Sequence, residues 1–85
     1  MFNKDDIITY LLNAGGMIDT DPTFGYPRVW LKMGSTGYLY HMVDSEVCFI
    51  RDTFNTNTNK KEREDTFMYD TVTYLGIDSI TKYFF

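Results

Sequence analysis

Apolar positions near the start of the chain recur at helical spacing. In "MFNKDDIITYLLNAGG", Ile7, Ile8, Leu11 and Leu12 fall on one side of a 3.6-residue turn. Asn3 is placed to cap this run, with Asp5 and Asp6 in the first turn, where the helix dipole favours negative charge. Phe2 and Ile7 stand at the two positions of a hydrophobic staple, and the glycines of "NAGG" mark the end. The spacing predicts a helix over 4–13. Residues 17–27, "MIDTDPTFGYP", read as a loop broken by Pro22, Gly25 and Pro27.

From Arg28 the period changes to two. In "RVWLKM", Val29, Leu31 and Met33 share one face, and Arg28, Trp30 and Lys32 share the other. "GSTG" is a hairpin connection, "YLYHMV" a second strand, "DSE" a turn and "VCFIRDT" a third strand. This is the pattern of an antiparallel meander.

The segment from 60 onward supports two readings. Asn59 followed by Glu62 has the form of a capping pair, and Met68, Val72 and Leu75 recur at i, i+4 and i+7. Those features predict a helix over about 60–75, ended by Gly76. The Thr- and aromatic-rich "TFMYDTVTY" favours a strand instead. The tail "DSITKYFF" is expected to add a last helical turn or an edge strand, with Ile80, Tyr83 and Phe84 docking on the core. The predicted class is α+β: a single domain over 1–85, ordered α-β-β-β-α, with helices on one face of a three-stranded meander.

Composition narrows the chemistry. Seven Phe, seven Tyr and one Trp in 85 residues exceed the needs of a small core, so some rings are expected at the surface as interface anchors. A single cysteine, Cys48, excludes an internal disulfide and a Cys-rich metal framework. The net charge of −4 argues against a general nucleic-acid binder, which needs a basic face for phosphates. The N-terminus lacks a basic region followed by an apolar run, and no stretch has the length of a membrane span, so a reducing cytoplasm is the expected compartment.

No catalytic constellation stands out, and neither a cofactor nor a metal is expected. The lone histidine, His41, lies mid-strand and reads as a packed strand residue, although a carboxylate could meet it in space. Asp19 and Asp21 in "DTD" have the form of a two-carboxylate cation site, but an Asp-Pro turn accounts for the same letters. "LGIDSITKYFF" has some features of a helix-turn-helix, yet offers only Lys82 as a cation.

The helix "NKDDIITYLLN", the meander and the acidic segment "EREDTFMYD" together resemble small phage-encoded anti-CRISPR and other anti-defence proteins. That resemblance implies a stoichiometric, non-enzymatic inhibitor that binds a host protein. Its contacts are expected on an acidic–aromatic surface of Glu62, Glu64, Asp65, Tyr69 and Asp70. An alternative is a nucleic-acid-binding regulator using Arg28, Trp30, Lys32, Tyr40, Lys60, Lys61, Arg63 and Lys82. A third reading is a structural or homodimeric phage protein.

Overall fold

The computed structural model describes residues 1–19 and 22–84, with only the backbone of Pro22. Helix α1 (Lys4–Asn13) forms where the pattern places it. The Asn3 side chain accepts from the Asp6 N–H at 3.0 Å, and the Asp6 carboxylate accepts from the Asn3 N–H at 2.9 Å. This reciprocal capping box satisfies donors that a helix start otherwise leaves open. Gly15, at φ 99°, supplies the left-handed residue that stops the helix. Ile7 and Leu11 then point into the core.

Among the described residues the sheet has five strands, two more than the expected three-stranded meander, one of them in the segment that also read as a strand. They are β1 (Met17–Asp19), β2 (Arg28–Met33), β3 (Thr36–His41), β4 (Cys48–Asn55) and β5 (Lys60–Met68). All pair antiparallel in sequence order, so the whole sheet is one meander. β1 comes from the segment expected to be a loop. Its three residues pair with the start of β2, a strand too short to show any periodicity.

The larger correction is at 60–68, where a strand replaces the expected start of a helix. Asn59 does not cap a helix: it closes the β4–β5 hairpin in the left-handed region, at φ 63°. Its N–H donates to the Asn55 carbonyl at 2.8 Å, and the Asn55 side chain accepts from the Asn57 N–H at 2.9 Å. Asparagine serves such turns for the same reason it serves caps, since its short amide bonds nearby backbone. Past the turn, Asp65 and Phe67 are buried while Glu64, Thr66 and Met68 are exposed, a period of two. The helical pattern survives only in α2 (Tyr69–Leu75), which buries Tyr69 and Val72. The tail adds a 3-10 turn, Ile77–Thr81, which carries Ile80 into the core, while Tyr83 stays about half exposed.

Residues opposite one another across an antiparallel ladder share a face. One row across the covered face runs Ile18, Val29, Tyr40, Arg51, Asp65, and another runs Leu31, Tyr38, Thr53, Arg63. α1, α2 and the 3-10 turn pack on this face, with Phe49 stacked on Phe67 at 5.3 Å between ring centroids. At its centre lies a fully buried arginine. Arg51 donates to the Ile80 carbonyl at 2.8 Å and to Asp65 at 3.4 Å, and three rings, Tyr38, Phe67 and Phe84, flank its guanidinium at 4.7 Å each. Tyr40 donates to the same carbonyl at 2.6 Å, so both side chains clamp the tail onto the sheet. Burial pushes the Tyr40 hydroxyl pKa well above its usual value, with the Arg51 charge opposing.

Removing one partner of a buried ion pair typically costs about 3–5 kcal/mol. Arg51→Leu is therefore expected to destabilise the fold by about that amount, read as a lower urea midpoint at neutral pH. Asp65 sets the acid behaviour. Burial raises its pKa, but the hydrogen bonds and charge of Arg63, with Arg51 behind, outweigh this and hold it below the ordinary 3.8. The stabilisation is complete above that ordinary value and is lost as pH falls through the lower folded-state value. Asp65→Asn removes this term. The stability gap between wild type and Asp65→Asn should narrow below about pH 4 in thermal melts run across the acid range.

Candidate binding face of the sheet

Among the described residues the other face of the sheet carries neither α1 nor α2; only the short 3-10 turn Pro22–Phe24 and Tyr26 lie over its Arg28–His41 end. Its rows run Met17, Trp30, Leu39, Asp52, Glu64, then Asp19, Arg28, His41, Ile50, Thr66, then Lys32, Gly37, Phe54, Lys61. Trp30, Leu39, Ile50 and Phe54 are all half-buried here, and exposed Met17 and Met68 flank them. The Trp30 ring lies across the sheet above Gly37 and meets Phe54 edge-on at 5.7 Å. A Cβ at Gly37 would overlap the indole, so glycine is what lets the ring lie flat. The result is a shallow apolar platform built on paired strands.

A polar line crosses this platform. His41 contacts Asp52 through Nε2 at 2.8 Å and the Tyr26 hydroxyl through Nδ1 at 3.0 Å. Carboxylate oxygens accept, so Nε2 donates to Asp52, and Nδ1 and the Tyr26 hydroxyl share the second hydrogen bond. Lys61 approaches the second Asp52 oxygen at 3.6 Å and Glu64 at 3.4 Å. Arg28 pairs with Asp19 and stacks over Phe24 at 3.8 Å. The pairs Arg28–Asp19 and Lys61–Glu64 leave the platform nearly balanced in charge. Asp52 fixes His41 from a neighbouring strand, and Tyr26 ties the preceding loop to the sheet.

The expected contact residues divide sharply. Asp65 and Tyr69, expected on an acidic–aromatic surface, are buried at 3% and 2% exposure, so neither can meet a partner. Both serve the core: Asp65 is held by Arg51 and Arg63, while burial pushes the Tyr69 hydroxyl pKa up. Strand alternation turns Asp65, one carboxylate of "ERED", inward from β5, and Tyr69 is buried as the first residue of α2. Glu62, Glu64 and Asp70 are exposed, but they do not form one patch. Glu64 borders the open face, Glu62 sits on the outer edge of β5, and Asp70 lies on α2.

The alternative nucleic-acid set is also split. Tyr40 is fully buried and cannot stack on a base. Arg28, Trp30, Lys32 and Lys61 share the open face, whereas Lys60 and Arg63 belong to the covered-face rows and Lys82 pairs with Asp78 in the tail. Asp19 of the "DTD" pair binds Arg28, and Asp21 lies outside the described residues. Among the described residues, no three His, Cys, Asp or Glu side chains gather as a metal site. Cys48 is a half-buried free thiol near the Ser45 hydroxyl.

The His41–Asp52 contact was within reach of the sequence. Register in a meander sets Asp52 diagonal to His41, since Ile50 stands directly opposite it. The Tyr26 contact depends on an irregular loop and left no pattern. No helix among the described residues is long and apolar enough to cross a membrane. No protein-family model matches the chain, and no curated protein or solved structure is significantly similar to it.

Gly37→Ala should lift the indole off the strand. The expected result is a shifted Trp30 fluorescence maximum and a loss of about 1–3 kcal/mol of stability. An unshifted spectrum would show that the ring is not held against Gly37.

Proposed function

We propose that the chain is a non-enzymatic protein-binding module, of inhibitor or regulator type, that docks its partner on the sheet face opposite α1 and α2. The supporting observation is that Trp30, Leu39, Ile50 and Phe54, all half-buried, share one sheet face with exposed Met17 and Met68 beside them. Contiguous apolar surface of this kind is what partner proteins cover, and large rings at its centre are the usual anchors. The polar line of His41, Asp52 and Lys61 would fix orientation, and Glu64 and Lys32 would lie at the rim. In this reading the partner is a host protein, such as a defence or nucleic-acid-processing factor. That identity rests on the resemblance to phage anti-defence proteins.

The charge arrangement favours protein over nucleic acid. Of the open-face cations, Arg28 and Lys61 already pair with neighbouring carboxylates, which leaves a weak field for phosphates. The test is affinity capture from bacterial lysate with wild type, Trp30→Ala and Tyr74→Ala. Tyr74 is 89% exposed on α2 and serves as a control for the helical side. A captured partner should bind Trp30→Ala about 30-fold more weakly while Tyr74→Ala binds normally. Equal binding by both variants, or recovery of nucleic acid with a steep salt dependence, would sink the proposal.

A further inference from the structure

β5 ends the sheet, and its outer edge pairs with no other strand among the described residues. Such an edge invites a further strand, and proteins commonly block it with charges and bulges. This edge has both, in a particular order. Thr53 pairs with Arg63 and Phe54 with Lys61, so Glu62 is an extra residue and the ladder shifts there. The bulge places Glu62 and Arg63 together at one ladder position. Beyond them, Lys61 and Glu64 stand on the open-face side, where their side chains meet at 3.4 Å. Lys60 and Asp65 stand on the covered-face side.

The charges of "KKERED" run plus, plus, minus, plus, minus, minus. Read backwards with every sign inverted, the order is unchanged. We propose that β5 pairs antiparallel with β5 of a second copy of this chain, about a two-fold axis through the bulge. In that register Lys61 faces Glu64 of the second copy and Glu62 faces Arg63, each pair repeated by symmetry; Lys60 stands opposite the position of Asp65, whose carboxylate stays in the core with Arg51 and Arg63. The members of each outer pair share a sheet face only because of the bulge, since a regular strand puts residues three or five apart on opposite faces. Shifting the register by one residue either way sets Glu62 against Glu62 or Glu64, and brings cation against cation at Lys61 and Arg63 or at Arg63 alone. The charges therefore select one register, where a blocking edge would carry a single sign and reject them all. The axis stands normal to the sheet, so both open faces lie on the same side of a ten-stranded sheet. A partner would meet that platform twice.

Sedimentation equilibrium of the full chain tests this directly. Wild type should dimerise, and more weakly as salt is raised. Lys61→Glu and Glu64→Lys should each dimerise at least about tenfold more weakly, because each sets like charges across the axis. Mixed in equal amounts, the two variants should form a heterodimer, since each supplies the charge the other lacks. Circular dichroism checks that both fold. For wild type alone, hydrogen exchange should show concentration-dependent protection confined to β5. A monomeric wild type, unimpaired single variants, failure of the mixture to associate, or protection independent of concentration would each overturn the proposal.

Discussion

The buried guanidinium of Arg51 is the constraint around which the molecule is arranged. A charge with no exposure needs an anion, further acceptors and a polarisable lining. Each comes from a different part of the chain: the carboxylate from β5, the carbonyl from the 3-10 turn, and the rings from β3, β5 and the tail. The carboxylate need explains why the acidic run "ERED" contributes one residue to the interior. The carbonyl need explains why the C-terminal segment packs where it does. Without the Ile80 carbonyl, Arg51 and Tyr40 would both lose an acceptor in the core.

This arrangement gives the sheet an unusual distribution of polarity. The covered face holds Arg51, Asp65 and Thr53 among its buried residues. The open face holds Trp30, Leu39, Ile50 and Phe54, residues that ordinarily seek cover. Both helices and the tail are committed to the side with the buried charge. The open side is left with the Trp30 ring lying over Gly37, with Phe54 edge-on to it, and with His41 tied between Asp52 and Tyr26. A platform on paired strands is rigid, which lowers the ordering cost of binding compared with a loop surface.

Where local pattern and final structure agree, the sequence was readable. α1 carries its own cap, face and stop signal within one stretch, and β2 alternates from Arg28 to Leu31 because one of its faces is buried there and the other half open. The errors share a cause. Asn59 and Glu62 have the residue types of a helix cap, but the same types close hairpins and occupy bulges, and only pairing with β4 decides between them. β1 is too short to have a period at all. For the contact surface, composition indicated correctly that rings would reach the surface, but the rings that do so on the open face are Trp30 and Phe54, not Tyr69. Knowing which way β5 faces would have required the register, and the register depends on a bulge whose extra residue, Glu62, has no distinctive side chain.

That bulge links the two halves of the molecule. Without the extra residue at Glu62, the strand before it would be turned over, because a one-residue change in register exchanges the faces. Lys61 would then leave Asp52, the carboxylate that fixes His41, and would point toward the helical side. Asp65 and Phe67, beyond the bulge, would keep their places opposite Arg51 and Phe49. The extra residue therefore lets a single edge strand serve both surfaces. Its second half completes the buried charge cluster, and its first half lends a cation to the polar line on the open face.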